Sequence, residues 1–278
     1  MGSSYSGSRR TRSSSGKEHE DLARWRKNSQ EVHRRDSIEA AKTPALFRDI
    51  RSSNDRVVLY TTDGVSPNGF RVDLTLREKS VIFNKKMIDE TNGEHRTPEY
   101  TTINPRQRTP TLIHDDIIIT ESCAAMQYVD AVFNRDIRLQ PKDPVRLAKC
   151  LQYIHEFECN LDPKNVAHKV LQQRMGRDQL TEEIEALEAE LVIWDGYLKD
   201  KEYLVDDFSL ADIAVFPLIA QLTECFGLDL ADYPNLRRWY SNMRDRPSLE
   251  EHPFFAACAK IDTLHGITSA QRMVLARQ

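Results

Sequence analysis

SPNGFRVDLTLREK, residues 66–79, decides the fold. Phe70, Val72, Leu74 and Leu76 alternate with period two, the spacing of a half-buried strand. Pro67 near the start and Asn68 as a cap favour a helix instead. A helix with apolar residues on two opposite stripes suits a position buried on both sides, and helix is the reading adopted.

The neighbours supply the context. RVVLYT, residues 56–61, reads as a strand that breaks at Asp63-Gly64. VIFNKKMID, residues 81–89, reads as a second strand. TPTLIH (109–114) and IIIT (117–120), split by Asp115-Asp116, read as a tight hairpin. ESCAAMQYVDAVF then has helical spacing. The order is β-α-β-loop-β-β-α. After Pro141 the chain changes character, and 144–175, 178–199, 209–225, 234–246 and 247–260 all read as helices. In DFSLADI (207–213), Ser209 as N-cap and Asp212 at N3 predict a capping box, with Phe208 and Ile213 as its hydrophobic staple.

Composition narrows the class. The chain has 278 residues, 40% hydrophobic and 29% charged, enough for a packed core in one large or two ordinary domains. It contains no run of about 18 apolar residues that would span a membrane. Five cysteines show neither CxxC nor metal-ligand spacing, which predicts free thiols, a reducing compartment and a cytoplasmic location. Residues 1–54 hold twelve Lys/Arg against seven Asp/Glu, while the remainder is acidic. Nucleic-acid binding by such a body is not expected. The expected domains are a basic, mostly disordered leader (1–54), an α/β domain (55–138), an all-α domain (139–264) and a tail (265–278).

Five motifs in order carry a resemblance: SPNGFRV at the first turn, NGEHRTPEY (92–100), INPRQRTPTL (103–112), TES (120–122) and DFSLADI. Over 55–262, about three quarters of the chain, they resemble the cytosolic glutathione transferase family. SPNG with GEHR is most similar to its asparagine-type members, the fungal nitrogen-regulator-like proteins and the bacterial Nu class. TESCAAMQYVDAVF and RLQPKDPVRLAKC are similar, less specifically, to bacterial lignin β-etherases. The resemblance implies a thioredoxin-like N-terminal domain followed by an all-helical domain, and it supports helix for PNGFRVDLTLREK. It also implies a homodimer, a detoxification role, and glutathione as co-substrate without a metal.

Glutathione brings its own thiol, which must become a thiolate to attack. A helix N-terminus offers free N–H groups and partial positive charge for that sulfur. By the resemblance, Asn68 adds a side-chain donor and Gly69 leaves room for close approach. Thr109 would pair with the ligand backbone at a cis-Pro110 turn. Ser122 and the N–H groups beside it would hold the γ-glutamyl carboxylate, and Glu121 the α-amine. His95 and Arg108 would meet the glycyl end. Ser209, Asp212 and Pro110 are structural. Other classes of the family place a serine where Val65 stands, or a cysteine where Ser66 stands. Ser66, Thr61 and Thr62 therefore remain hydroxyl alternatives, Tyr60 reads as core, and Cys123 reads as a small buried residue. A small hydrophobic or disulfide second substrate would sit between the domains, near Tyr153 and Phe157.

The reaction implied is thiol transfer to an electrophile, with glutathione disulfide-reductase or peroxidase activity as variants. The alternative is a non-catalytic regulatory or binding protein on the same fold. MGSSYS fits the N-myristoylation pattern on Gly2. Arg9, Arg10, Arg12 and Lys17 would add the basic patch that a single acyl chain requires for peripheral membrane contact.

Overall fold

The computed structural model describes residues 56–62, 65–133, 137–167, 169–170 and 175–260. Gly2, the rest of the basic leader, the Asp63-Gly64 break and the 265–278 tail lie outside them. The described residues form one compact unit.

The N-terminal part is thioredoxin-like. Strand β1 (Val57–Thr62) is rich in β-branched residues and occupies an interior position in a four-stranded sheet. Strand β2 (Asn84–Ile88) runs parallel to it, with Tyr60 opposite Lys86. On the other side β3 (Thr111–His114) pairs antiparallel with β1, and β4 (Ile117–Thr120) with β3. Helix α1 (Pro67–Glu78) connects β1 to β2, and α3 (Ser122–Val132) follows the hairpin. The short α2 (Pro98–Ile103) precedes β3.

Helix α1 resolves the ambiguity of its sequence. Val72 and Leu76 join Val57, Leu59, Leu112, Ala125 and Val129 in the sheet-side core. Phe70 and Leu74 belong to the core of the helical part. Residues two apart lie roughly opposite on a helix, so an alternating pattern is what a helix buried on both faces produces. Val81 was expected to begin the second strand. Instead its N–H closes α1 by donating to the Leu76 carbonyl (2.9 Å), with Ser80 left-handed at φ 50°. The turn takes Val81, and Ile82 is 94% exposed, so β2 begins at Asn84.

The second part is helical: α4 (Pro144–Glu156), α5 (Thr181–Tyr197), α6 (Leu210–Phe226), α7 (Pro234–Arg244) and α8 (Pro253–Ala259). The helix expected over 144–175 is shorter. Past Glu156 the chain forms a π turn and then a 3₁₀ turn at Asp162–Lys164, where Pro163 has no N–H for an α-helical bond. The stretch 247–260 likewise splits before α8, whose N-cap is His252. Helix α6 is buried almost all round. It starts at the predicted capping box: Ser209 N–H donates to Asp212 Oδ2 (2.9 Å) and Ser209 Oγ accepts from Ala211 N (3.2 Å). Asp212 Oδ1 also accepts from Trp239 Nε1 (2.9 Å). The side chains of both residues are thus engaged at the start of α6.

Not all thiols are free. Cys225 and Cys258, with Cα atoms 5.0 Å apart, are paired across α6 and α8, whereas Cys123, Cys150 and Cys159 are unpaired. Spacing along the sequence cannot reveal a contact between residues 33 positions apart.

Polar contacts dock α1 on the helical part. Arg246 binds Glu78 through two hydrogen bonds (2.7 and 2.8 Å). His252 Nδ1 accepts the Phe254 N–H, and its Nε2 lies 3.2 Å from Asp73 Oδ1, an arrangement a neutral ring satisfies. Burial lowers the His252 pKa against the pull of Asp73. A base with a depressed folded-state pKa stabilises the fold above its unfolded pKa and loses that contribution as pH falls. Stability is therefore expected to drop below about pH 6.5. In His252→Asn, which keeps a capping side chain, the slope between about pH 6.5 and 5 should flatten in urea-midpoint measurements.

Candidate functional site

The N-terminus of α1 is the centre of the candidate site. Ser66, not Asn68, is its N-cap: the Ser66 hydroxyl accepts from Gly69 N at 3.4 Å. Asn68 falls at the second helical position because Pro67 takes the first. The cap expectation for Asn68 is thus corrected, and its amide is released from capping. Its Oδ1 accepts from Arg71 Nη1 at 2.8 Å.

Gly69 has a steric reason. A Cβ there would lie 1.9 Å from Thr61 Oγ1 and 3.2 Å from Thr61 Cβ, so strand β1 and helix α1 approach too closely for any side chain.

Ser122, the first residue of α3, is buried, and its Oγ accepts from the same Arg71 Nη1 at 2.6 Å. Two residues far apart in sequence, Asn68 and Ser122, are thereby joined through one nitrogen. Glu121 precedes α3 with φ 66° and ψ 115°, uncommon for a residue with a Cβ, and its side chain is exposed. Sparsely populated backbone of this kind clusters at ligand sites.

The Thr109–Pro110 peptide is cis. The Thr109 hydroxyl donates to Glu90 Oε1 at 2.7 Å. Tyr100 and Asn104 hold the Arg108 carbonyl at 2.8 and 2.7 Å. The Arg108 side chain is exposed, and His95 Nε2 accepts from Arg96 Nε at 3.0 Å. Among the described residues, no hydrogen bond or ion pair joins His95 or Arg108 to the Asn68–Ser122 cluster.

The Cys123 thiol and the Tyr60 hydroxyl are muted. Burial pushes the Cys123 thiol up to about 12, and burial with neighbouring Tyr100 does the same to the Tyr60 hydroxyl. Neither ionises near neutral pH, in keeping with the core readings of both. Tyr153 packs against Trp194 and Tyr197 in the helical core, at centroid distances of 6.2 and 5.0 Å. Phe157 lies beneath the Arg71 guanidinium, 4.5 Å from ring centroid to Cζ. Neither ring lines the recess beside Ser66, which is formed by Thr61, Gly69, Asp73, Lys85, His252 and Phe254 among others.

Arg71 escaped the sequence reading. Its signal was a cation between Phe70 and Val72, two residues that mark opposite buried faces of α1, where burial makes a charge expensive and hence purposeful.

A thioredoxin-like sheet joined to a helical part, with a helix N-terminus and a cis-proline turn beside it, defines a class of thiol-handling proteins. The comparisons make the class specific. "Glutathione S-transferase, N-terminal domain" matches residues 57–131 and "Glutathione S-transferase, C-terminal domain" matches 163–247. Glutathione S-transferase A of Pleuronectes platessa is 31% identical over 194 residues, 66% of this chain and 86% of the relative. A delta-class glutathione transferase of Nilaparvata lugens has a TM-score of 0.67 at 26% identity, over 75% of this chain and 99% of its own. URE2P6 of Phanerochaete chrysosporium, a glutathione transferase in complex with oxidized glutathione, shares the fold with a TM-score of 0.66 at 24% identity, over 75% and 98%. The chain belongs to the glutathione S-transferase family.

Gly69→Ala should cost about 1–3 kcal/mol through overpacking, measured by thermal or urea unfolding. Thr61→Ala in the same chain should recover most of that loss. A Gly69→Ala protein as stable as the parent would show that β1 and α1 can separate freely.

Proposed function

We propose that the protein is a glutathione-dependent transferase of the asparagine type, in which Asn68 and the N-terminus of α1 activate the thiol of bound glutathione. The observation that carries this reading is the placement of Asn68. It stands at the second position of a buried helix, outside the cap, with its amide oxygen already occupied by Arg71. A carboxamide has one oxygen and two N–H donors. With the oxygen taken, what Asn68 offers a ligand is N–H. A sulfur at the helix N-terminus then meets donors and partial positive charge, and both favour the thiolate.

Ser122 would hold the γ-glutamyl carboxylate and Glu121 the α-amine. Thr109 would pair with the ligand backbone, and His95 and Arg108 would serve the glycyl end. Ser66, occupied as the N-cap, is the weaker of the two catalytic candidates. The thiolate attacks an electrophilic carbon and expels its leaving group with the bonding pair, or attacks one sulfur of a disulfide to give a mixed disulfide and release the other sulfur as thiolate. The protein would act as a homodimer in the cytoplasm. Gly2 acylation with the basic leader would add peripheral membrane contact.

Asn68→Ala is expected to lower kcat/KM with glutathione and hydroxyethyl disulfide by about 10²-fold, the usual scale for losing one preorganised donor. Steady-state kinetics check this, and unchanged turnover removes Asn68 from the mechanism. Calorimetric titration separates the alternative of a non-catalytic binder: glutathione binding without turnover on a broad substrate panel would favour it. For the leader, labelled myristate should enter the wild-type protein in cells and not Gly2→Ala. Absence of label in the wild type would dismiss the anchor.

A further inference from the structure

Arg71 is a guanidinium buried to 1% relative exposure at the junction of the sheet and helical parts. Among the described residues it makes no ion pair, an expensive arrangement for a buried cation. Its Nε donates to the Ala214 carbonyl of α6 at 2.9 Å. Its Nη1 donates to Asn68 Oδ1 (2.8 Å) and to Ser122 Oγ (2.6 Å). The plane lies over the Phe157 ring, and Nη2 is buried without a partner. The titratable groups that feel its charge are Cys123 on α3 and Asp162 in the segment after α4. Glu158, in that same segment, acts with Asp162 on Cys123.

We infer that Arg71 is the positioning residue of the thiol site. It locks the Asn68 carboxamide so that its N–H donors point at the ligand sulfur, and it supplies the buried positive charge that the thiolate neutralises. The inference rests on the reading that Asn68 donates to that sulfur. Arginine carries donors only, so the Asn68 oxygen is obliged to face it. Without Arg71 the amide is free to turn its oxygen toward the sulfur, which repels the thiolate. Helix α6 fixes the guanidinium through Ala214, and the Phe157 face fixes its plane. The cation is therefore held before ligand arrives and need not reorganise when the proton leaves.

The same nitrogen reaches Ser122. One guanidinium thus touches both the proposed thiol donor and the proposed carboxylate holder, and it aligns the two ends of the γ-glutamyl-cysteinyl unit. Lysine is not equivalent, because a point charge with rotating donors cannot hold Ala214, Asn68 and Ser122 in one plane.

The test uses the full chain with Arg71→Met, Arg71→Lys, Asn68→Ala and Asn68→Ala/Arg71→Met. For each, the apparent pKa of the bound glutathione thiol is read from thiolate ultraviolet absorbance against pH, and folding is checked by circular dichroism. Arg71→Met should raise the bound-thiol pKa by about one pH unit or more, on the scale of losing a nearby opposite charge. Arg71→Lys should recover part of that change. The double variant should exceed Asn68→Ala by less than the full Arg71→Met shift, since part of the Arg71 effect passes through that amide and the rest is its direct charge. If Asn68→Ala raises the pKa and a folded Arg71→Met does not, Arg71 is only a packing residue and the inference is wrong. If Asn68→Ala itself leaves the pKa unchanged, the underlying reading of Asn68 fails and takes the inference with it. Should Arg71→Met not fold, Arg71→Lys decides: a wild-type thiol pKa there overturns the positioning role.

Discussion

The burial of α1 on two sides is the constraint from which the remaining architecture follows. One stripe, Val72 and Leu76, packs on the sheet; the other, Phe70 and Leu74, belongs to the helical core. A helix so enclosed cannot expose its polar residues, and each must find a partner inside. Arg71 reaches Ala214, Asp73 reaches His252 and Lys85, and Glu78 reaches Arg246 and Ser248. Unpaired, such groups would cost more than the helix gains by burial. The helical part supplies Ala214, His252, Arg246 and Ser248, while Lys85 of β2 and Ser122 of α3 supply the rest. Gln221 completes the attachment by donating to the Val65 carbonyl just ahead of the turn (2.7 Å).

This docking has a chemical consequence. The N-terminus of α1 is held from both sides before any ligand arrives, with its donors fixed in direction. Preorganised donors avoid the reorganisation that water would need. The nearby thiol of Cys123 and the hydroxyl of Tyr60 are pushed far from ionisation by burial. A helix N-terminus beside a thiol and a phenol that burial keeps protonated fits the proposed substrate, which carries its own thiol.

Much of this was legible in the chain. The succession of elements, the hairpin and the Ser209–Asp212 capping box depend on residues close in sequence, and the Thr109–Pro110 peptide is cis as the resemblance implied. The misreadings share one cause. Ser66 and Asn68 are both good caps, and only the backbone geometry distinguishes them. Val81 continues an apolar strand pattern, but the turn that consumes its N–H ends on Leu76 within α1. The single helix over 144–175 failed at Pro163, whose missing donor changes the hydrogen-bonding period. Cys225–Cys258, Tyr153 and Arg71 needed partners that are distant along the chain.

By itself, then, the sequence determined the elements and their order, because propensity, capping and turn chemistry act over a few residues. It also named Asn68 and Ser122, which the structure joins through Arg71. Only the tertiary structure decided how those residues face each other. The direction of the Asn68 amide depends on a guanidinium held by a carbonyl of α6, 143 residues away. Hydrogen bonds between such distant groups exist only once two hydrophobic faces of one helix have been buried, and no local pattern encodes their geometry.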